Sequence, residues 1–347
     1  MREYLYRLAT DREKGVIPGF LKFFLLILSL VYGLIIGFLA FLCRLKLSYL
    51  DCRVISVGNI TLGGTGKTAL VEYIARCLKE KGLRVAILSR GYKRMKPSMG
   101  DEPYMLSKNL GDVPVIVGAD RIRGAKQAIE IHRADNLILD DGFQQWRIKK
   151  DLEIVTISAT QAFGNRRVIP RGVMREPLSS LKRADVFVLT KTDLNPDTQE
   201  IKDFLKRINP PALIVESVHS TAGFYKLGES EETLNADALK GKIAALFSGI
   251  GDPDSFESLI KRMGIGIGLS FRFPDHHNYS EKDLDNIIRE SEKKNIDTVI
   301  TTEKDAARLL ASSPVHGRAS VFVLRIELKI TRNEEEFRRR LLGLRRA

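Results

Sequence analysis

The sequence predicts an α/β fold: a parallel sheet with helices on both faces, a second, smaller α/β domain, and an apolar helix before both. Three observations support this prediction. A glycine-rich loop joins an apolar strand to a helix, strands and helices alternate along the chain, and residues 19–43 form an apolar run. The 347 residues suffice for about two domains with an appendage.

Composition narrows the class of protein. With 44% hydrophobic and 29% charged residues, the chain is neither a disordered tail, a collagen-like repeat nor a polytopic membrane protein. A formal net charge of +13 indicates an anionic partner: nucleic acid, a phosphorylated small molecule or an anionic membrane surface. The three cysteines, Cys43, Cys52 and Cys77, show no spacing typical of zinc sites or disulfide frameworks, which fits a reducing compartment.

The apolar run contains a single charge, Lys22. As a helix, residues 19–43 would measure about 37 Å, enough to cross a hydrocarbon core of about 30 Å. We predict a membrane anchor within residues 1–50, either spanning the bilayer or lying partly submerged in it. The alternative is a buried core helix. Basic residues flank the run on both sides, so the positive-inside rule gives no orientation.

A nucleotide site is predicted directly after this segment. The strand at residues 53–57 leads into GNITLGGTGKT and then into a helix that ends near Gly82. In such a P-loop, backbone N–H groups contact phosphate oxygens, the lysine reaches the β- and γ-phosphates and the hydroxyl binds Mg²⁺. The pattern G-x-x-x-x-G-K-[ST] places glycine where this chain has a threonine. The predicted nucleotide-binding residues are Thr61, Leu62, Gly63, Gly64, Thr65, Gly66, Lys67 and Thr68.

A second nucleotide-site element follows an apolar strand at residues 136–139. Asp140 and Asp141 come directly after this strand. A strand that ends in acidic residues is typical of Walker B elements, which hold Mg²⁺ directly or through water. Either aspartate could instead cap a helix. A further strand at residues 185–189 continues the parallel sheet, whose ligands bind at the carboxyl ends of the strands.

Two kinds of P-loop protein remain open at this point. The TKTD sequence at residues 190–193 resembles the guanine-reading element of GTPase switches, but neither Asp140 nor Asp141 is followed by the required D-x-x-G glycine. Without a switch role, Lys191 and Asp193 would form a surface turn. A kinase needs a group that accepts the proton of a substrate hydroxyl. The candidates are Asp101 in GDEPY and the cluster at residues 273–279.

The ordered motifs VGNITLGGTGKT, ILSRGYKR, GDEP, DDGFQ, RVIPRGVMREPLSSLKRAD, FSGIGD, FPDHHNYS and TTEKD resemble the tetraacyldisaccharide 4′-kinases, the lipid A 4′-kinases of Gram-negative bacteria. The resemblance extends from about residue 15 to about residue 310. It implies transfer of the ATP γ-phosphate, with Mg²⁺, to the 4′-hydroxyl of a tetraacylated glucosamine disaccharide 1-phosphate. It also implies attachment to the inner membrane with the active site on the cytoplasmic face.

By the same resemblance, Lys67 and Thr68 serve the phosphates and Mg²⁺. Asp101 matches the catalytic base, and His276 matches the histidine that pairs with it. The remaining matches are the metal-binding acidic pair, Asp140 and Asp141, and the site-adjacent Arg175 and Glu176.

Two departures from the family pattern stand out. Only Met95 to Met99 separate SRGYKR from GDEP, where relatives carry a longer insertion. Gln145 and Trp146 follow DDGFQ, where relatives carry histidines.

The predicted domains are an anchor at 1–50, a P-loop kinase domain at 51–227 and a smaller α/β domain at 228–347 that completes the active-site cleft. Asp101 would lie in the kinase domain and His276 in the smaller one, so their partnership would require a closing cleft. Basic residues at 166–191 and in the last twenty residues suit phosphate and an anionic leaflet, or form solvated basic faces. No nucleic-acid motif occurs, and no obligate protein partner is inferred.

Overall fold

A computed structural model describes residues 2–91, 100–228, 233–310 and 320–343. The chain forms two compact units. The first contains Met1–Arg90, Val113–Val218 and Ile330–Ala347, and the second contains Gly91–Asp112 and His219–Lys329. This division differs from the predicted boundaries at residues 50 and 228. The segment that carries Asp101 belongs to the same unit as His276, so these two residues need no interdomain cleft to meet. The short segment Met95 to Met99 lies outside the described residues.

The first unit is built on parallel strands in the order β3-β2-β4-β1-β5-β6-β7. Every residue of β2, β4, β5 and β6 is buried, as expected for a parallel sheet covered on both faces. The strands are β1 (Arg53–Asn59), β2 (Val85–Ser89), β3 (Val115–Val117), β4 (Asn136–Asp140), β5 (Leu152–Ser158), β6 (Val186–Thr190) and β7 (Leu213–Lys226), which continues into the second unit.

Helices cover this sheet with two separate apolar clusters. One cluster includes Leu205 and the other includes Ala125 and Ala128. The predicted helix after the P-loop ends at Glu80, and Gly82 follows with a positive φ of 72°, as a helix C-terminus favours. The helices are α1 (Arg2–Ala9), α2 (Val16–Leu45), α3 (Lys67–Glu80), α5 (Arg121–Glu130), α6 (Gln199–Ile208), a 3₁₀ helix (Leu178–Arg183) and α10 (Glu334–Leu341).

The second unit has its own strands in the order β7-β11-β10-β8-β9, with parallel pairing of β11, β10, β8 and β9. The predicted α/β alternation in the second half of the chain is confirmed. The strands are β8 (Ile243–Ser248), β9 (Gly266–Arg272), β10 (Thr298–Thr302) and β11 (Ser320–Arg332). The helices are α4 (Asp101–Leu110), a 3₁₀ helix (Ala236–Leu239), α7 (Pro253–Arg262), α8 (Glu281–Lys293) and α9 (Glu303–Leu310).

Helix α2 contains the whole predicted apolar run and is long and apolar enough to cross a membrane. Only Ser29 and Ala40 of this helix are buried. Ser29 Oγ donates a hydrogen bond of 2.6 Å to the carbonyl of Val168, and Tyr32 Oη donates one of 3.1 Å to the carbonyl of Arg175. The alternative of a buried core helix is therefore wrong, because most of the apolar surface of α2 faces outward.

Candidate active site

The P-loop lies between β1 and α3, as predicted. Gly63 and Gly66 adopt positive φ angles of 110° and 78°, which glycine accepts without strain. Thr61 instead forms an antiparallel bridge with Met174 and is not among the positive-φ residues. The departure from the P-loop pattern at Thr61 is therefore compatible with the loop, because the backbone there is extended.

Two hydroxyl contacts fix the middle of the loop. The hydroxyls of Thr65 and Thr156 are 2.8 Å apart, and Thr190 Oγ1 donates to the carbonyl of Thr65 at 3.0 Å. Thr190 begins the TKTD sequence. Lys191 in that sequence is buried, so the prediction of a surface turn is wrong for this residue. The TKTD sequence packs beneath the P-loop because β6 neighbours β5, which neighbours β1.

The acidic pair follows β4 and its two members have different surroundings. Asp140 is buried, and its Oδ2 accepts a hydrogen bond of 3.0 Å from Ser89 Oγ. Asp141 has a positive φ of 53°. Arg175 Nη1 donates to both carboxylate oxygens of Asp141, at 2.8 and 3.0 Å, and Lys67 Nζ lies 3.5 Å from Asp141 Oδ1.

Close backbone packing holds this acidic turn against β1. A Cβ atom added to Gly58 would lie 2.5 Å from Phe143, and one added to Gly142 would lie 2.6 Å from Ser56 Oγ. Burial alone would raise the pKa of the Asp141 carboxyl, but the charges of Lys67 and Arg175 hold this pKa below its ordinary value. Asp141 is therefore an anion at neutral pH, at the carboxyl end of the strand next to the P-loop.

Three arginines of the 166–191 segment form ion pairs within the protein. Arg171 Nη2 lies 2.7 Å from Asp11 Oδ1, and Arg183 Nη1 lies 2.9 Å from the buried Glu176. Gln144 Nε2 also donates to Glu176, at 3.0 Å, and Gln144 Oε1 accepts from Arg175 at 3.3 Å. The third pair is the one between Arg175 and Asp141, so these contacts link the segment to the acidic pair.

The second candidate site lies in the second unit, where α4 begins. Asp101 is the first residue of α4 and is buried. His276 Nδ1 lies 3.3 Å from Asp101 Oδ2, and Arg308 donates to the same oxygen from Nε at 3.0 Å and Nη2 at 2.5 Å. The ring of the neighbouring His277 instead stacks on that of Phe273, with 4.6 Å between the ring centroids.

The charges of this cluster shift two pKa values in opposite directions. Burial would raise the pKa of the Asp101 carboxyl, yet the hydrogen bond from His276 and the charge of Arg308 hold it well below its ordinary value. The hydrogen bond to Asp101 in turn raises the pKa of His276. Asp101 is therefore ionised, and His276 is poised to carry a proton near neutral pH.

Sequence reasoning missed Gln144 and Arg308. Gln144 stands three residues after Asp141 as the last residue of the DDGFQ motif, and this position is the signal that could have drawn attention to it. Arg308 stands three residues after the TTEKD sequence, on the same face of α9 as Asp305, and no motif includes it. Its partner Asp101 is 207 residues away in the chain, a separation at which sequence pattern carries no contact information.

A family profile described as LpxK, tetraacyldisaccharide-1-P 4′-kinase, matches residues 21–345. The chain belongs to this family. Membership identifies it as a phosphotransferase of lipid A biosynthesis, and the interpretation as a GTPase switch is not favoured. The P-loop NTPase-like fold and the resemblance described from sequence motifs are thereby confirmed.

Relatives in this kinase family match along nearly the whole chain. The tetraacyldisaccharide 4′-kinase of Halothermothrix orenii is 37% identical and aligns with 95% of this chain and 94% of its own length. That of Elusimicrobium minutum is 36% identical, over 94% of this chain and 91% of its own. The crystal structure of LpxK from Aquifex aeolicus, determined with ATP, has a TM-score of 0.74 and 32% identity, covering 93% of this chain and 98% of that one.

Proposed function

We propose that the 4′-kinase reaction of this chain uses ATP held by residues 61–68 as phosphoryl donor and a tetraacylated disaccharide 1-phosphate as acceptor. The observation that supports this most strongly is the meeting of Lys67 with Asp141 where β1 and β4 end, beside the N-terminus of α3. A cation and a carboxylate at a helix N-terminus suit a nucleoside triphosphate with its metal ion. The ATP found with the Aquifex aeolicus relative supports the same donor.

The residues present suit Mg²⁺. No group of three or more His, Cys, Asp or Glu side chains within the described ranges can hold a metal ion by itself. Magnesium in kinases needs no such group, since substrate phosphates and waters complete its octahedral shell. Thr68, Asp140 and Asp141 offer only oxygen atoms, which Mg²⁺ prefers. When bound, the ion would neutralise charge on the phosphates, and these three residues would hold it directly or through water.

Asp101 is the proposed acceptor of the proton of the 4′-hydroxyl, with His276 as its partner. A sugar hydroxyl is a weak nucleophile, so a positioned base accelerates its attack by roughly 10²–10⁴-fold. In this proposal Lys67 stabilises charge on the transferring phosphoryl group, and Arg175 orients Asp141 by donating from Nη1 to both carboxylate oxygens.

The test of the proposed function is an ATP-dependent phosphorylation assay on the disaccharide 1-phosphate lipid in detergent. We expect a 4′-phosphorylated product with ATP and Mg²⁺ and none after chelation of Mg²⁺ with EDTA. GTP is the matched alternative donor. Tight GTP binding together with the absence of lipid product from ATP would overturn the proposal.

We further propose that α2 attaches the kinase to the cytoplasmic face of the inner membrane by lying along it. Ser29 and Tyr32, near the middle of α2, hydrogen-bond to backbone carbonyls of the segment that contains Arg171 and Arg175. A spanning helix would place its middle, and this charged segment with it, in the hydrocarbon core, where charges are strongly disfavoured. A helix at the interface instead buries its outer apolar face to a depth of about 5–10 Å.

Anionic lipid is the proposed surface. Arg12 and Lys14 before α2, and Arg44 and Lys46 at its end, are all exposed. Each basic residue close to an anionic leaflet contributes about 1 kcal/mol to binding. Because these residues stand at both ends of α2, a helix that lies in the interface brings both pairs to the same leaflet.

Substitution of Leu34, which is 76% exposed on α2, by glutamate is expected to weaken binding to anionic vesicles about tenfold. The equally exposed Tyr49 lies beyond the helix, so Tyr49→Glu is the charge-matched control, with vesicle sedimentation as the measurement. Orientation is checked with Lys14→Cys and Lys46→Cys variants of a chain whose Cys43, Cys52 and Cys77 are replaced by serine, labelled from outside the vesicle with an impermeant maleimide. Labelling of both ends fits a helix in the interface, whereas protection of one end indicates a spanning helix.

A further inference from the structure

The TTEKD sequence, which the assignment of function leaves without a role, lies where β10 passes into α9. Two of its side chains reach across to α4: Lys304 forms an ion pair with Glu102, and Glu303 accepts a hydrogen bond of 3.3 Å from Asn109. Helix α9 thus holds α4 at the residue next to Asp101 and again at the penultimate residue of α4. The sequence anchors the helix whose first residue is the proposed base.

Arg308, on the same helix, is 2% exposed and makes the most direct of these contacts. Its Nε and Nη2 donate to Asp101 Oδ2, while its Nη1 donates to the carbonyl of Gly249 at 2.7 Å and to Asp305 Oδ1 at 3.0 Å. The planar guanidinium is therefore bound on two sides. Its position fixes the position of the Asp101 carboxylate.

Asp305, which accepts a hydrogen bond from Arg308, is fully buried. Three further groups among the described residues donate hydrogen bonds to its carboxylate. It accepts hydrogen bonds from the Gly249 amide at 3.0 Å, from Tyr279 Oη at 2.9 Å and from Thr302 Oγ1 at 2.7 Å. This carboxylate joins the residue after β8, the segment before α8 and the last residue of β10 to the guanidinium. A rigid set of hydrogen bonds therefore extends from the sheet of the second unit to Asp101.

We propose that Arg308 is a positioning residue for the phosphoryl transfer: it holds Asp101 so that Oδ1 of that carboxylate accepts the proton of the substrate hydroxyl. Among the described residues, the hydrogen bonds of Arg308 and His276 to Asp101 all end on Oδ2, which leaves Oδ1 to face the hydroxyl. This inference rests on the proposed role of Asp101 as base.

The step balances with ATP as the only co-reactant. The O–H bond of the substrate hydroxyl breaks and its proton passes to Asp101 Oδ1. The hydroxyl oxygen forms a bond to the γ-phosphorus, and the bond from that phosphorus to the bridging oxygen breaks, with its electron pair leaving on ADP. Arg308 takes no proton, because a guanidinium remains charged throughout the working pH range.

The deciding variants are Arg308→Lys, which keeps the charge and loses the fork, and Arg308→Gln, which loses both. We expect Arg308→Lys to lower kcat about 100-fold while KM for ATP stays within about threefold, because a misplacement of about 1 Å is enough for such a loss. Arg53→Lys is the control. Arg53 is a partly buried arginine whose guanidinium donates to the backbone carbonyls of Arg340 and Leu341, and its replacement should leave kcat unchanged.

The pH profile separates positioning of the base from a purely structural role. In Arg308→Gln the positive charge next to Asp101 is lost while the neighbouring carboxylates remain, so we expect the pKa of Asp101 to rise. The acidic limb of the kcat profile therefore moves to higher pH. A structural role would lower kcat evenly at every pH. The other charged or titratable groups around Asp101 are Glu102 of α4, Asp275, His276 and Tyr279 of the segment after β9, and Lys304 and Asp305 of α9.

The outcomes distinguish this inference from the proposed function. Arg308→Lys with kcat within about twofold of the parent, alongside an inactive Asp101→Asn, overturns the role of Arg308 and leaves the base assignment intact. Full activity of Asp101→Asn overturns the base assignment itself. Should Arg308→Gln fail to fold by circular dichroism, Asp305→Asn decides: it preserves the shape of the anchor, and we expect a kcat loss of about tenfold with ATP binding unchanged.

Discussion

Replacement of Lys67 by methionine is expected to lower kcat about 10³-fold while the protein remains folded. Methionine keeps the length of the side chain and a high helix propensity at the start of α3, and it removes the positive charge. In the structure this charge lies 3.5 Å from Asp141 Oδ1, at the N-terminal end of the helix that follows the P-loop. Loss of one such electrostatic contact to a developing charge costs about 10²–10³-fold, and more for phosphoryl transfer.

The measurement for Lys67→Met is initial-rate phosphorylation of the lipid at saturating ATP, with thermal unfolding as the check on folding. Lys79→Met is the matched control, because Lys79 lies exposed in the last turn of the same helix, at the end opposite to the P-loop. More than about a tenth of the parental kcat in Lys67→Met would contradict the role of this lysine in phosphoryl transfer.

The placement of the candidate nucleotide site could be predicted from sequence because its parts are local. The P-loop, the first turn of α3 and the acidic pair each follow a buried strand, and parallel strands bring these ends to one edge. Sequence pattern does not show which acidic residue the lysine meets. That depends on the positive φ of Asp141 and on Arg175, which lies 34 residues further along the chain.

The features that sequence reasoning did not predict depend on packing between residues that are far apart in the chain. The predicted boundary at residue 228 followed a polar stretch, whereas α4 belongs to the second unit through contacts with α9 that span about 200 residues of chain. The burial of Lys191 depends on neighbouring strands, which local polarity does not reveal. Arg171 likewise pairs with Asp11, which lies 160 residues away in the chain, a contact that sequence pattern does not show. The basic run was therefore interpreted from sequence as able to bind phosphate.

The departures from the family pattern bear differently on the site. Thr61 lies in extended backbone, which any residue can adopt, so threonine in place of glycine causes no backbone strain in the P-loop. Gln144, the last residue of DDGFQ, links Arg175 to Glu176. Arg175, which orients Asp141, is therefore linked through the amide of Gln144 to the buried carboxylate of Glu176.

Replacement of Asp101 by asparagine is expected to lower kcat by about 10²–10⁴-fold and to lower the pKa of His276. The loss of rate follows from removing the proposed proton acceptor while its shape is kept. The carboxylate stabilises the protonated imidazole and raises the pKa of His276 above its ordinary value, so its removal brings that pKa down. The fraction of protonated His276 at neutral pH therefore falls in the variant.

Nuclear magnetic resonance titration of the imidazole protons measures this pKa directly, since the chain has only five histidines to assign. His276→Gln identifies the resonance. His277→Gln is the neighbouring control, because His277 lies 3.2 Å from Asp283 and does not contact Asp101 in the structure. A pKa of His276 that stays unchanged in Asp101→Asn would show that the two side chains are not coupled in solution. A lowered pKa with undiminished kcat would instead leave the pair intact and contradict the role of Asp101 as the base.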